Sequence, residues 1–223
     1  IQFCEKYCQY VDEGYTDVIH VPINKSGSST YNNALMAQGM LREERPEHHM
    51  KIHLLDPHTY SMVFGWYLCE MARKLQNGAE LRHVISEFET QMNKMEVILG
   101  PYSLKQMKKS GRISAAAAVM GELMGIRPII TLIDGKTRVE SKVRGDDKVI
   151  PAMIDLCKKR TEGVEDFDYM IGHTSIPQAA ELEKACRKAF GKAPLTTFNL
   201  GGVVSANTGP DTLALVYVGK PRD

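Results

Sequence analysis

The sequence lacks any apolar stretch that approaches the roughly 20 residues of a membrane-spanning helix. It also lacks an excess of charge of either sign, because 28 Lys and Arg residues are balanced by 27 Asp and Glu residues, for a formal net charge of +1. Nucleic-acid-binding domains normally carry a strongly basic face or stripe. We therefore predict a globular protein with no membrane insertion and no nucleic-acid partner.

Cysteine is scarce and is not arranged in the usual metal or disulfide motifs. The five Cys residues include no Cys-x-x-Cys pair, and no His/Cys cluster has zinc spacing. Cys4 and Cys8 are one helical turn apart, where a buried helix face is a simpler explanation than a metal site or a disulfide. Reduced thiols are typical of cytoplasmic proteins, so we expect a cytoplasmic location.

An initial Met is also missing, since the sequence starts at Ile1 inside a segment whose apolar residues have helical spacing. A parallel α/β sheet that follows such a helix lacks its usual first strand. The edge left behind would be apolar and unpaired, which soluble proteins avoid. We therefore expect further residues before Ile1 in the native protein.

The first 100 residues alternate between helix and strand signals. The opening helix ends at Gly14, and the β-branched apolar run at 17–23 predicts a strand buried on both faces. Further strands are predicted at 51–56 and 96–100, with amphipathic helices between them. This alternation predicts a parallel sheet covered by helices.

The pattern changes after residue 100. Two alternating apolar runs surround Asp134-Gly135, which is a strong short-range hairpin signal. Three later strand signals alternate with helices, and a hairpin with returning strands implies a mixed or antiparallel sheet. We predict an α/β protein of two domains, the first over residues 1–100 with a parallel sheet and the second over 101–223 with a mixed or antiparallel sheet.

The segment NKSGSST, residues 24–30, joins the strand at 17–23 to a helix predicted from about Ser28 to Arg45. A helix that begins at the carboxyl end of a parallel strand offers unpaired N–H groups and partial positive charge, which suit an anion. The alternative is that Ser28 only caps the helix, and both interpretations stay open on chemistry alone. Ser26, Ser28, Ser29 and Thr30 supply hydroxyl donors in this segment and Lys25 supplies an ammonium group, and the binding candidates among them are Lys25, Ser26, Ser28 and Thr30.

Two further residues are candidates for a binding site. Asn207 lies in NTGPDTL between two predicted strands, where it either lines a site or belongs to a plain turn. Arg112 in KKSGRIS is a cation with small neighbours. The spacing contains no P-loop, no nucleophile elbow, no carboxylate pair and no Ser/His/Asp set, so we predict no catalytic residues and no metal.

Four blocks of the sequence, taken in order, are similar to those of a known family. They are EGYTDVIHVPI with SGSSTYNNA, LLDPHTYSMVFG, LKQMKKSGRIS with RPIITLIDGKTRVESKVR, and NTGPDTLALVYVG. Over essentially the whole chain they resemble the DegV family of bacterial fatty-acid-binding proteins. Compared with the family pattern, Asn24 and Lys25 replace a Ser-Ser pair, Ser29 replaces Gly and Asn207 replaces His.

The resemblance implies a long-chain fatty acid held between two α/β domains, with no cofactor and no catalysis by the protein itself. It implies that Ser28 binds the carboxylate, together with a Thr of a preceding Thr-Ser segment that is absent from this sequence. It also implies delivery of the fatty acid to a fatty-acid kinase subunit, which phosphorylates the carboxylate. Asn207 keeps the hydrogen-bonding capacity of the family His but does not titrate near neutral pH.

Two other classes of function stay open. A small-molecule enzyme or a phosphate-binding protein would use the same polar junction with Lys25 and Arg112, and would hold a small polar anion. An interaction module would need an exposed apolar patch. A long apolar cavity leading away from Ser28 would favour the fatty-acid carrier, because burial of the acyl chain contributes about 0.8 kcal/mol per CH₂ group.

Overall fold

The computed structural model describes residues 1–111 and 125–221. Within these ranges the helices are α1 (Gln2–Asp12), α2 (Thr30–Glu44), α3 (Met62–Gln76), α4 (Leu81–Met92), α5 (Lys105–Ser110), α6 (Val149–Arg160), α7 (Gln178–Phe190) and α8 (Gly201–Thr208). The strands are β1 (Asp17–His20), β2 (Lys51–Leu54), β3 (Met95–Pro101), β4 (Ile126–Ile133), β5 (Lys136–Arg144), β6 (Tyr169–His173), β7 (Thr197–Asn199) and β8 (Thr212–Val218).

A small sheet is formed by β1 and β2, which are parallel and place His20 opposite Leu54 at their carboxyl ends. Helices α1 and α2 pack against it through Val18 and Ile52. The helical spacing of apolar residues in α1 therefore marks a buried face, as the sequence predicts. The buried members of this helix cluster are Cys4, Tyr7, Cys8, Ala37, Leu41 and Met50.

A larger sheet of six strands has the order β5-β4-β3-β8-β6-β7. Its β6–β7 pair is parallel and its other neighbouring strands are antiparallel. The mixed α/β fold with one parallel and one mixed sheet is thus confirmed.

The prediction that the strand at 96–100 belongs to a parallel sheet is wrong, since β3 is antiparallel to both β4 and β8. All of β3 is buried, and a continuous apolar run does not reveal the direction of its neighbours. The two sheets therefore divide before Met95, although the sequence places the boundary near residue 100. The division into domains 1–100 and 101–223 stays a prediction.

Both faces of the six-stranded sheet are covered. In β8, Leu213, Leu215 and Tyr217 point into a cluster with α6 and α7. Ala214 and Val216 point to the other side, into a cluster with α3, α4 and α5 that we call the central apolar cluster. The period-two alternation of a strand therefore supplies two separate cores.

The hairpin around Asp134-Gly135 is confirmed, because these two residues connect β4 to β5.

The surroundings of Asn207 are different from the prediction. Asn207 lies in the last turn of α8 and not in a turn between strands. Gly201 and Gly202 begin this helix, and their low helix propensity explains why the sequence does not indicate it.

A network of charged side chains lies at the end of α6. Arg160 Nη1 is 3.4 Å from Glu96 Oε2 of β3, and its Nη2 is 3.1 Å from Glu140 Oε1 of β5. The Tyr217 hydroxyl donates a hydrogen bond to Glu96 Oε2 at 2.6 Å, and Thr131 Oγ1 donates to Glu140 Oε1 at 2.9 Å. One guanidinium therefore compensates two largely buried carboxylates on different strands.

We predict that Arg160→Met lowers the free energy of unfolding by about 3 kcal/mol, because it leaves the buried carboxylate of Glu96 without a cation and that of Glu140 with only the exposed Arg138. Arg187→Met is the control, since Arg187 only forms an exposed i,i+4 pair with Glu183 and should change stability by less than about 0.5 kcal/mol. Urea denaturation at neutral pH measures both. Equal effects of the two substitutions would contradict a central role for the network.

Candidate functional site

The candidate site lies where the two parallel strands of the small sheet end. The segment after β1, residues 24–30, is called the serine loop below, and it lies beside the segment after β2, residues 55–61. The Asn24 N–H donates to the Thr59 carbonyl at 3.1 Å, which ties the two segments together. Both segments leave the sheet at its carboxyl edge, the edge at which open α/β sheets bind ligands.

Asn24 organises the serine loop. Its side chain is fully buried, and its Oδ1 accepts hydrogen bonds from Ser26 N at 2.7 Å, Ser26 Oγ at 2.7 Å and Gly27 N at 3.0 Å. An Asn side chain that binds backbone N–H groups two and three residues later fixes a tight turn. The Asn that departs from the family pattern is therefore the residue that shapes this loop.

The turn of the β4–β5 hairpin reaches this loop from the six-stranded sheet. Ser26 Oγ donates to the Asp134 carbonyl at 2.9 Å, and the Tyr60 hydroxyl donates to the Gly135 carbonyl at 3.3 Å. His58 Nδ1 lies 2.7 Å from Asp134 Oδ1. The site is therefore built from three segments of the chain, and it lies where the two sheets meet.

Asp56 contacts Lys25 and accepts hydrogen bonds from two backbone N–H groups. Its Oδ1 accepts from the backbone N–H groups of Lys25 at 3.3 Å and His58 at 3.0 Å. Its Oδ2 lies 3.6 Å from Lys25 Nζ and 3.7 Å from His58 Nδ1. The ammonium group of Lys25 is thus directed to a protein carboxylate, which limits what it offers to a bound anion.

Ser28 and Thr30 form a pair of hydroxyl groups at the start of α2. Their Oγ and Oγ1 atoms are 2.7 Å apart, and Ser28 Oγ also accepts from Thr30 N at 3.2 Å. The helix begins at Thr30 with Ser29 as its N-cap, and the Ser29 side chain makes no capping bond. Ser28 therefore satisfies an N–H group of the first turn, as a cap would, and remains half-buried beside the helix N-terminus.

Two donors in the same region are buried without a hydrogen-bond partner in the described part of the chain. They are Asn24 Nδ2 and Thr59 Oγ1. A buried N–H or O–H group normally has a partner, because leaving it unpaired costs about 1–3 kcal/mol. An amide N–H and a hydroxyl are both suitable donors to a carboxylate oxygen.

His20 is the last residue of β1, shortly before the serine loop, and it contacts α1. Its Nδ1 lies 2.5 Å from the Tyr7 hydroxyl oxygen. Burial lowers the pKa of His20 below its ordinary value and raises the pKa of Tyr7 to about 12. The pair is therefore uncharged at neutral pH, and His20 adds no positive charge to the site.

The structure brings together four of the six predicted site residues, Lys25, Ser26, Ser28 and Thr30. Asn207 makes its hydrogen bonds within α8 and with α5, since its Nδ2 donates to the Val203 carbonyl at 2.9 Å and its carbonyl accepts from Ser110 Oγ at 3.1 Å. Neither bond reaches the serine loop. Arg112 lies outside the described residues.

Sequence reasoning missed the second and third segments of the site. Asp56, His58 and Tyr60 follow β2, and the Asp-Gly turn that contacts them was predicted only as a hairpin. The rule that the ends of parallel strands are neighbours was the available signal for the β2 segment. No local signal connects the hairpin turn to the serine loop, since Ser26 and Asp134 are more than 100 residues apart in sequence.

Apolar side chains adjoin the site. Val21 precedes the serine loop and Leu55 follows β2, and both pack with the central apolar cluster. Several large side chains of α3, including Phe64 and Leu68, are only half-buried against this cluster. The polar loop therefore borders an extensive apolar region.

A cavity of about 630 Å³ opens between α3 and α4. Its apolar lining includes Trp66, Met71 and Phe88, and charged side chains such as Lys74 and Glu87 stand at its edge. Trp66, Met71 and Phe88 also belong to the central apolar cluster or pack against it. Ser28 does not line this cavity. It is therefore not the long apolar cavity leading away from Ser28 that would favour a fatty-acid carrier.

Fold and site together define a two-sheet α/β protein in which a serine-rich helix N-terminus meets the hairpin of a second sheet beside an apolar core. None of the helices in residues 1–111 and 125–221 combines the length and apolarity needed to cross a bilayer. The chain belongs to the DegV family, because the profile of this family of uncharacterised proteins matches residues 1–220. The family resemblance predicted from the sequence is confirmed.

Individual relatives agree with this assignment. A DegV domain-containing protein of Clostridium acetobutylicum is 27% identical over 217 residues, which cover 96% of this chain and 75% of the relative. The crystal structure of a fatty-acid-binding DegV family protein from Streptococcus agalactiae matches with a TM-score of 0.82 and 25% identity, over 98% of this chain and 76% of that one. A stearic-acid-binding protein from Eubacterium ventriosum matches with a TM-score of 0.85 and 20% identity, over 98% and 75% of the two chains.

We predict that Gly135→Ala disturbs the contact between the hairpin and the serine loop. Gly135 has φ +71, and a Cβ there would lie 2.3 Å from the Asn24 side-chain oxygen. The left-handed conformation costs a non-Gly residue roughly 1–2 kcal/mol, and the clash adds about 1–3 kcal/mol. Urea denaturation should therefore give a clear loss of stability, and amide hydrogen exchange should become faster in residues 24–30.

Gly191→Ala is the matched control for this prediction. Gly191 has φ +72, and a Cβ there meets no atom within 4 Å. Gly191→Ala should lose only the roughly 1–2 kcal/mol that the left-handed conformation costs a non-Gly residue. It should leave amide hydrogen exchange in the serine loop unchanged. If Gly135→Ala behaved like Gly191→Ala in both measurements, the hairpin contact would not control the loop.

Proposed function

We propose that this protein is a non-catalytic carrier of a long-chain fatty acid and that the serine loop receives the carboxylate of the ligand. The observation that carries the proposal is the direct junction between this polar loop and the central apolar cluster. Leu55 belongs to the cluster and Val21 packs against it, and Asn24 and Asp56 follow them within three residues. An amphiphile needs this combination of a polar end and an apolar path.

The donors available at the loop suit a carboxylate. Ser28 and Thr30 supply hydroxyl groups next to the positive end of α2. Asn24 Nδ2 and Thr59 Oγ1 are buried and lack partners among the described residues. A hydrogen bond to a charged group contributes about 1.5–3 kcal/mol, while an acyl chain of 16 carbons contributes on the order of 10 kcal/mol in gross burial. The head-group contacts therefore mainly fix orientation.

Family relatives support the same ligand class, since the Streptococcus agalactiae protein is a fatty-acid-binding member of the family. A non-catalytic role is supported by the hydrogen bonds of the loop hydroxyls. Ser26 Oγ, Ser28 Oγ and Thr30 Oγ1 bond to the Asn24 amide, to backbone groups or to each other. In the part of the chain that the structure describes, none of these bonds involves a His or carboxylate that would act as a general base.

The proposal includes a cytoplasmic location and delivery to a fatty-acid kinase subunit. The five Cys residues are all free thiols, which supports a reducing compartment. The kinase role rests on the family resemblance. The Asn207 side chain donates a hydrogen bond within α8.

The first experiment is extraction of the purified protein with organic solvent, followed by mass spectrometry of the extract. We expect a fatty acid in about stoichiometric amount, because burial of a long acyl chain makes release into water slow. Protein that contains no lipid, and takes up none from a panel of fatty acids, would overturn the carrier. Binding of inorganic phosphate by that protein would then favour the anion-binding alternative.

A second prediction tests the assignment of the carboxylate to the serine loop. Ser28→Ala should weaken fatty-acid binding roughly 10- to 100-fold, the equivalent of one hydrogen bond to a charged group. Ser29→Ala is the matched control, because the Ser29 side chain is exposed and makes no capping bond, and it should leave affinity within about 2-fold. Displacement of a fluorescent fatty acid measures both, and equal affinities would move the carboxylate to another position.

Delivery is tested separately with protein loaded with oleic acid, a bacterial fatty-acid kinase and ATP. We expect acyl phosphate to form only when the loaded protein is present. Asn207→His should increase its rate if a titrating side chain at that position assists transfer. Tight lipid binding without any acyl phosphate would remove the kinase from the proposal and leave the carrier intact.

A further inference from the structure

A second group of functional side chains lies between α1 and α2, at the end of α2 that is remote from the serine loop. Cys4 and Cys8 project from one face of α1 and are both buried. Glu44, the last residue of α2, approaches both of them. Cys4 Sγ is 3.7 Å from Glu44 Oε1 and Cys8 Sγ is 3.5 Å from Glu44 Oε2. The three side chains can bring one donor atom each to within 4.8 Å of one another.

These distances fit the edges of a tetrahedral metal site. With a metal–sulfur distance of about 2.3 Å and a metal–oxygen distance of about 2.1 Å, the sulfur–oxygen edge of a tetrahedron is about 3.6 Å. The two measured sulfur–oxygen distances lie on either side of this value, with Cys4 facing Oε1 and Cys8 facing Oε2 of the same carboxylate. A metal ion could therefore replace the two thiol protons once the exposed Glu44 carboxylate turns to bring one oxygen towards both sulfur atoms.

We propose that Cys4, Cys8 and Glu44 form a binding site for a thiophilic divalent metal ion of the zinc type. Two thiolates select zinc or cadmium over magnesium and calcium, which take oxygen ligands. The carboxylate makes the site less suitable for copper(I), which prefers soft ligands. The three side chains leave the fourth tetrahedral position to water or another external ligand.

The surroundings hold the ligands in place. Tyr7, Ala37 and Leu41 pack around the two thiols in the cluster between α1 and α2. Beside Glu44, Arg45 makes two hydrogen bonds of 3.2 Å to the carboxylate of Asp12, which joins the end of α2 to the end of α1. Support of this kind reduces the entropy lost when a metal ion fixes its ligands.

The helix dipole also favours a cation at this position. Glu44 is the last residue of α2, where the unpaired carbonyl groups of the helix carry partial negative charge. Glu44 is exposed while both thiols are buried, so a metal ion would enter from the Glu44 side. Binding exchanges two thiol protons for one divalent ion, and both protons pass to solvent.

The other thiols of the chain have different surroundings. Cys157 and Cys186 are buried in the cluster beneath α6 and α7, and Cys69 is exposed on α3. In residues 1–111 and 125–221, Cys4, Cys8 and Glu44 form the one group of three or more Cys, His, Asp or Glu side chains close enough to hold a metal ion together. The site does not depend on the proposed lipid function, because α2 separates it from the serine loop by about 21 Å of helix.

The test is titration of the reduced, chelator-treated protein with Co²⁺, followed by absorption spectroscopy. We expect one equivalent to bind with a thiolate-to-cobalt band in the near ultraviolet and the visible bands of tetrahedral cobalt. Zn²⁺ should displace the cobalt and abolish both. The proposal fails if the near-ultraviolet band does not form, or if it persists in a Cys4→Ser/Cys8→Ser double variant.

Glu44→Gln and Glu43→Gln form a matched pair, since both side chains are exposed at the end of α2 and only Glu44 contacts the thiols. Glu44→Gln should weaken Co²⁺ binding at least about 10-fold, the loss caused even by removing an outer-shell partner, and Glu43→Gln should leave it within about 2-fold. Equal losses would show that the carboxylate is not a ligand. Because neither substitution is buried, this pair keeps the test valid if the double Ser variant does not fold.

Discussion

The contact between the turn of the β4–β5 hairpin and Asn24 is the interaction on which the arrangement of the site depends. The hairpin belongs to the six-stranded sheet and Asn24 to the end of the small sheet, so this contact fixes one sheet against the other. It leaves no space for a side chain at position 135. Ser26 adds a hydrogen bond to the Asp134 carbonyl, which makes the loop conformation a property of both sheets together.

This constraint explains how the polar residues of the loop are used. Asn24 Oδ1 and Ser26 hold the loop and the hairpin together, and Lys25 is directed to Asp56. The side chains left with capacity to bind an external group include Ser28, Thr30 and the amide nitrogen of Asn24. Neutral donors beside a helix N-terminus can orient a carboxylate without the desolvation penalty of a buried cation. In the proposed carrier, the apolar core next to them would supply most of the binding energy for the acyl chain.

Helix α2 connects the two regions of interest. It begins at the serine loop and ends at Glu44, and its middle packs on α1 through Ala37 and Leu41. The positive end of its dipole lies near the proposed carboxylate and the negative end near the proposed metal ion. The two ends of α2 therefore carry opposite partial charges, positive at the proposed carboxylate site and negative at the proposed metal site.

The sequence by itself determined the elements and the family. The period of apolar residues located the helices, the Asp-Gly pair located the hairpin, and the order of the motif blocks identified the DegV family. The polar residues after β1 likewise indicated most of the serine loop. These features depend on residues close together in the chain, so local physical rules are sufficient to predict them.

Only the tertiary structure decided the direction of β3, the helix at Asn207 and the partners of each polar side chain. A fully apolar strand carries no record of its neighbours, and Gly201 and Gly202 form a helix that their propensity disfavours. The contacts of Asp134 with Ser26, and of Glu44 with Cys4, join residues far apart in sequence. Such contacts follow from the packing of whole sheets and helices, because no local pattern encodes which distant side chains will meet.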